Sequence, residues 1–145
     1  MKIECRKVWY AYDVPGSDWA LKDIDFTIRE GEKIAVIGPA GSGKTTLIQL
    51  LDTLILPTKG DIFYDGVSVR ELAKKKMLTS IRRRMGVLFQ FPEHQFFHET
   101  AYEELTFSLR NFFDLDEAEV YNRAKVFMAG FGMDMSMIRS TSPFH

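Results

Sequence analysis

The sequence predicts an α/β fold in which a fully buried strand of a parallel sheet runs into a glycine-rich loop and then a helix. Three observations predict it. Residues 33–37, Lys33-Ile34-Ala35-Val36-Ile37, form a short continuous apolar run, the pattern of a strand covered on both faces. Residues 38–43 then carry glycine at 38, 41 and 43. From Lys44 onward, Leu47, Leu50, Leu51 and Leu54 fall on one helical stripe. A chain of 145 residues holds one domain with a sizeable core and is short for two.

The elements follow in order. Lys7-Val8-Trp9-Tyr10-Ala11-Tyr12 is aromatic and β-branched and reads as a strand, closed by turn formers over residues 13–18. Residues 20–28 form a second strand, with Ile24, Phe26 and Ile28 on one face. Residues 29–32 turn the chain into the apolar run. The helix after the loop stops at Pro57-Thr58-Lys59-Gly60. Ile62-Phe63-Tyr64 and Val67-Ser68-Val69 flank Asp65-Gly66, a pair suited to a type I′ turn, and predict a tight hairpin. Residues 71–84 are basic and helical in part. Met85-Gly86-Val87-Leu88-Phe89 predicts another buried strand, ended by Gln90 and Pro92. Thr100-Ala101-Tyr102-Glu103 is a capping-box pattern that starts a helix. Residues 116–119 start another in a looser version, with Val120, Ala124, Phe127, Met128 and Phe131 as its core stripe and Gly130 and Gly132 at its end. Residues 140–145 read as irregular. There is no internal repeat.

Composition sets outer limits. Nineteen Lys and Arg against 20 Asp and Glu leave a net charge of −1, so no global basic field draws the chain to nucleic acid. The basic runs at 74–76 and 82–84 read as solvated faces. A single cysteine, Cys5, permits no intrachain disulfide and fits a reducing cytosol. No apolar run approaches the ~18 residues of a membrane-spanning helix, so a membrane role runs through a partner. His94 and His98 have helical ligand spacing, but Pro92 places them in a loop and no third ligand is evident.

One motif carries chemistry. Gly38-Pro39-Ala40-Gly41-Ser42-Gly43-Lys44-Thr45 matches G-x-x-x-x-G-K-[ST], the Walker A or P-loop pattern, with Thr46 following. Glycines at 38, 41 and 43 permit positive φ and close backbone approach to phosphate. Successive N–H groups form an anion nest, and the helix start adds its positive dipole end. Lys44 supplies a mobile charge for the β- and γ-phosphates, and the Thr45 hydroxyl a ligand for Mg²⁺. A glycine-rich turn with a capping Lys and Thr is the plain alternative, and the strand–loop–helix context argues against it.

With these residues in view, the chain resembles the nucleotide-binding subunit of an ABC transporter along its whole length. "LKDIDFTIREGEKIAVIGPAGSGKTTLIQLL", "PTKGDIFYDG" and "MGVLFQFPEHQFF" stand in the family's order. Gln90 followed by Pro-Glu-x-Gln-x-Phe is similar to the ATPases of energy-coupling factor transporters, which take up vitamins and transition-metal ions. The resemblance implies a P-loop NTPase (RecA-like) α/β core with an antiparallel β-subdomain over about 1–91. The start of a helical subdomain follows over about 92–145, the whole being the N-terminal part of one domain. It implies ATP and Mg²⁺ as ligands, held by Gly38, Pro39, Ala40, Gly41, Ser42, Gly43, Lys44, Thr45 and Thr46. Tyr12 matches the aromatic residue that stacks on adenine, with strand packing as its alternative and Trp9 and Tyr10 as neighbouring competitors. Gln90 matches the glutamine that ligates Mg²⁺ beside Thr45, senses the γ-phosphate and begins the segment touching the membrane partner. Phe91, Pro92, Phe96 and Phe97 suit either packing under the helical subdomain or a groove for a membrane subunit. The partners implied are an integral membrane subunit, through the 90–97 region, and a second ATPase subunit. The location implied is the cytoplasmic face of the membrane.

The family's Leu-Ser-Gly-Gly-Gln signature, Walker B aspartate, catalytic glutamate and switch histidine have no match here, and no displaced Walker B follows the P-loop. The expectation is a fragment or truncated product, slow in hydrolysis because nothing orients the attacking water. Residues 33–37 are then expected to lack their neighbouring strands and to leave apolar surface exposed. Three further readings stay open: a non-hydrolysing module that holds nucleotide or only the partner, a non-transport ABC ATPase, and a small P-loop kinase. The compact Gln90 segment speaks against the second. The 62–69 hairpin and the aromatic first strand speak against the third.

Overall fold

The computed structural model describes residues 1–12, 18–91 and 95–139. It divides into two compact units, Met1–Val87 and Leu88–His145.

The first unit is built on an antiparallel sheet, as expected. β1 (Ile3–Tyr10), β2 (Leu21–Ile28), β3 (Lys59–Tyr64) and β4 (Val67–Ser68) lie in the order β2-β1-β3-β4. Ile3, Cys5 and Val8 of β1 are buried, so the inward phase changes between Cys5 and Val8. There Lys7 takes φ 47° and the register with β2 shifts, which marks a bulge that re-aims the strand's second half. Asp65 (φ 49°) and Gly66 (φ 87°) make the β3–β4 link, with the two positive φ values of a type I′ turn.

Helix α1 (Lys44–Leu51) lays Leu47, Leu50 and Leu51 into a core with Val8, Leu21, Ile62 and Tyr64. The Tyr64 hydroxyl is buried and donates to the Leu51 carbonyl at 2.6 Å and the Leu50 carbonyl at 3.4 Å. The Leu51 carbonyl is thereby satisfied at a helix end that leaves acceptors over, while the Leu50 carbonyl also accepts from the Thr53 N–H at 3.1 Å. The helix ends one turn before Leu54, which is half exposed rather than part of the stripe. The basic stretch yields α2 (Val69–Lys74), capped by the Ser68 hydroxyl, and α3 (Leu78–Arg82). Arg82 is not a solvated charge. Its guanidinium donates to the Thr53 carbonyl at 2.8 Å and hydroxyl at 3.2 Å, and so secures the buried, positive-φ residue that follows α1.

Two predicted strands are absent. Residues 33–37 and 85–89 form no ladder, and Ile34, Val36, Ile37 and Leu88 are exposed, Ile37 to 91%. The reason is pairing. An apolar β-branched run becomes a strand only against a neighbour, and no described strand pairs with either run. The expectation of exposed apolar surface at 33–37 holds.

The second unit consists of α4 (Ala101–Phe112), α5 (Glu117–Ala129) and α6 (Met135–Arg139). The capping box at Thr100 and Glu103 forms in full. Asp116 caps α5 by accepting from the Glu119 N–H at 2.8 Å. A bidentate Arg110–Glu117 pair links the two helices. Tyr102, Ala124, Met128, Met135 and Ile138 form the core. Val120, Ala124 and Met128 of the predicted α5 stripe are buried, but Phe127 and Phe131 are exposed, because the packed face is narrower than the apolar stripe. Helix α6 was not anticipated. Its sequence signal is Asp134, whose carboxylate accepts from the Ser136 and Met137 N–H groups at 2.8 and 3.3 Å. Residues 140–145, expected to be irregular, lie outside the described residues.

Cys5 sits in the sheet core, where burial foremost and then the Asp25 carboxylate push its thiol up to about 12. The native chain is therefore expected to resist alkylation by iodoacetamide at pH 8 and to react fully once unfolded in urea. Rapid modification of the native chain counts against this packing. The folded thiol ionises above its unfolded counterpart, so its contribution to stability is complete below pH ~9 and declines as pH rises from there.

Candidate phosphate-binding site

The P-loop lies between the exposed 33–37 run and α1. Its exit residue, Gly43, is the helix N-cap and stands at φ 87°. A Cβ there would come within 2.7 Å of the Ala20 carbonyl oxygen and 2.8 Å of Leu21 Cδ2, so the loop can seat on the start of β2 only with glycine. Gly41 also has positive φ (78°), with open space around it. Gly38 does not. A Cβ there would meet the Ser42 hydroxyl at 2.7 Å, a contact that side chain can relieve by turning. Glycine permits positive φ at all three positions, and Gly41 and Gly43 adopt it.

No side chain caps α1. The N–H groups of its first turn, Lys44, Thr45 and Thr46, therefore border the pocket as the donors that every helix start leaves over. They also carry the positive end of the helix dipole. The Lys44 ammonium folds onto the loop, donating to the Gly38 carbonyl at 2.8 Å, the Pro39 carbonyl at 2.7 Å and the Ser42 hydroxyl at 3.4 Å. Thr45 is exposed, and Thr46 is buried. Tyr12, Ala20, Gly41, Gly43, Lys44, Thr45 and Thr46 line an open pocket of about 290 Å³. Of the residues singled out from sequence, Tyr12 therefore joins the P-loop at one site, although 34 positions separate it from Thr46. Its ring stands edge-on to Tyr10 at 5.0 Å, and its hydroxyl lies 2.7 Å from the Thr46 hydroxyl. Pro39, Ala40 and Ser42 shape the loop without lining this pocket. Trp9 lies away from it, against Trp19 (5.3 Å, edge-on), with the Lys59 ammonium over the Trp19 ring at 4.9 Å.

The donor set fits a polyphosphate with its magnesium: a cation on a flexible stem, uncapped backbone N–H groups and an exposed hydroxyl. Residues 21–142 match the family described as ABC transporter. The chain belongs to the ABC transporter ATP-binding family. It is 38% identical over 146 aligned positions to an energy-coupling factor transporter ATP-binding protein, EcfA2, of Clostridioides difficile. It is 41% identical over 147 positions to the protein of that name from Symbiobacterium thermophilum. In each case 99% of this chain is covered, and the chain spans about half the length of the curated relatives it matches. Among solved structures, cbiO1 of Clostridium perfringens, described as part of a transporter complex, superimposes with a TM-score of 0.73 at 28% identity, covering 90% of this chain and 50% of that one. A dimeric ATP-binding cassette bound to ADP and phosphate superimposes at 0.78 with 25% identity, covering 97% of this chain and 63% of that one.

The remaining sequence candidates belong to the second unit. Gln90 is exposed just past the 85–89 run. Phe91 and Phe97 are exposed, and Phe97 packs edge-on against Phe107 of α4 at 5.1 Å. Phe96 borders an apolar groove with Leu105, Met128, Met133 and Ile138. Pro92 and His94 lie outside the described residues. His98 Nδ1 pairs with the Glu104 carboxylate at 2.9 Å, and no metal-binding cluster occurs among the described residues. No helix among them is long and apolar enough to cross a membrane. Sequence reasoning missed Gln49, whose side-chain oxygen lies 3.3 Å from the Tyr12 hydroxyl. Its position one turn beyond Thr45 and Thr46 was the available signal.

The two positive-φ glycines of the loop are expected to separate on substitution. Gly41→Ala should cost about 1 kcal/mol, the backbone penalty alone, whereas Gly43→Ala should cost more than about 2 kcal/mol because a Cβ also strikes Ala20 and Leu21. Urea unfolding of both variants measures the difference, and equal costs would remove the close-approach argument.

Proposed function

We propose that these residues form the Mg-ATP-binding part of an energy-coupling factor type transporter ATPase. The observation that supports it best is the convergence of Lys44, the uncapped start of α1 and Tyr12 on one pocket. In this reading the P-loop N–H groups and Lys44 hold the phosphates, the Thr45 hydroxyl holds the metal, and Gln90 keeps the metal-ligand role that the family resemblance implies for a protein of the relatives' full length. The Tyr12 ring faces adenine, for which a flat aromatic platform is suited. Mg²⁺ held by the Thr45 hydroxyl would offset the charge of the phosphates. Nucleotide binding is the activity proposed for these 145 residues. Hydrolysis coupled to uptake of a vitamin or metal ion is proposed for a protein of the relatives' full length, since the sequence carries neither signature nor Walker B motif. The 90–97 region is proposed to meet an integral membrane subunit, which the exposed rings of Phe91 and Phe97 support. A second ATPase subunit and a place on the cytoplasmic membrane face complete the reading.

Titration of Mg-ATP into the chain by calorimetry tests the site. Lys44→Ala should weaken binding by ~1.5–3 kcal/mol, the range for a hydrogen bond to a charged group. Equal affinity in the variant would sink the P-loop assignment. Tyr12→Ala should narrow the preference for ATP over GTP while Mg-triphosphate still binds. An unchanged preference would remove Tyr12 from the base site.

A further inference from the structure

Tyr12 and Thr46 each have one hydroxyl proton and can each accept as well. Their oxygens are 2.7 Å apart, so one donates to the other, and Gln49 Oε1 stands 3.3 Å from the tyrosine oxygen. Two polarities of this chain bear on the pocket. In one, Thr46 donates to Tyr12 and Tyr12 donates to Gln49. In the other, Tyr12 donates to Thr46, and the Thr46 proton is released toward the pocket that Thr46 lines. The amide of Gln49 serves both: it accepts through Oε1 in the first and, turned over, donates through Nε2 to the tyrosine oxygen in the second.

An anion in the pocket selects the second polarity, because only then does Thr46 present a donor. Thr46 is 5% exposed and α1 is anchored in the core, so the hydroxyl cannot answer by moving away. The aromatic ring is held at the same time, by Tyr10 edge-on at 5.0 Å and by the chain at its hydroxyl. We infer that Tyr12, Thr46 and Gln49 form a reversible hydroxyl relay that couples the phosphate subsite to the aromatic platform, with Gln49 as its positioning residue. The inference rests on the nucleotide reading above and adds to it. Tyr12 contributes to phosphate binding through its oxygen, separately from anything its ring does.

The test is a double-substitution cycle on the full chain, with Mg-tripolyphosphate as the probe, since it has no base to stack. Tyr12→Phe keeps the ring and removes the oxygen. It should weaken tripolyphosphate about two- to fourfold, the polarisation that accepting from Tyr12 adds to the Thr46–phosphate bond. Thr46→Val should weaken it at least as much, and the double variant should be no weaker than Thr46→Val alone. Thr46→Ser keeps a hydroxyl and should retain the Tyr12→Phe penalty, which preserves the test if the buried valine impairs folding. Unchanged tripolyphosphate affinity in Tyr12→Phe, or losses that multiply in the double variant, overturns the relay. If that occurs while Lys44→Ala still weakens ATP binding, the nucleotide reading stands and the relay alone falls. If the unsubstituted chain binds neither ATP nor tripolyphosphate, both fall together.

Discussion

The seat of Gly43 on Ala20 is the contact on which the site depends. Ala20 uses both of its backbone groups. Its N–H donates to the Tyr10 carbonyl at 2.9 Å, fixing the end of β1 two residues before Tyr12. Its carbonyl lies where a Cβ on Gly43 would intrude, so the P-loop closes directly onto it. One residue thus ties the end of β1, which leads to Tyr12, to the exit of the P-loop. A side chain at 43 would separate the two, even though neither Tyr12 nor Lys44 had changed.

The loop holds its place because α1 does. An isolated helix of eight residues does not persist in water, since nucleation costs more than so few hydrogen bonds return. Here Leu47, Leu50 and Leu51 are buried against the sheet, each contributing at most about 1.5–3 kcal/mol of apolar burial. Tyr64 takes up carbonyls at the far end of the helix, and Arg82 secures Thr53 just past it. The C-terminal end is therefore closed by side chains while the N-terminal end is left uncapped. That asymmetry leaves free donors where the phosphates are proposed to lie.

Local signals were legible in the sequence, and pairing was not. The Asp65-Gly66 turn, the Thr100 capping box and the Asp116 cap each depend on residues within a few positions of one another, and each forms as read. Residues 33–37 and 85–89 have equally strong strand composition and form none, because a ladder needs a partner that composition cannot supply. Arg82 was misread for the related reason that its acceptor, Thr53, is distant in sequence. Tyr12 could be nominated by its resemblance to the family pattern. Its approach to Thr46 and Gln49 could not, since that follows from how β1 and α1 are placed on a shared core.

The posture of Lys44 bears on how strongly the site can select a polyphosphate. Its ammonium already has two carbonyl acceptors at 2.7 and 2.8 Å, so a phosphate must replace good hydrogen bonds rather than fill an unmet need. Lys44 therefore contributes the difference between a charge-assisted bond to an anion and the bonds it gives up, far less than the bare Coulomb attraction. The same carbonyls keep the cation inside the loop, which lowers the conformational entropy lost when it engages a ligand. The first-turn N–H groups have no such side-chain partner to surrender. Selectivity for an anion thus begins with the backbone at the start of α1. In the proposed reading Lys44 then favours ligands with enough negative charge to draw it off the carbonyls of Gly38 and Pro39, which a polyphosphate has and a lone carboxylate lacks.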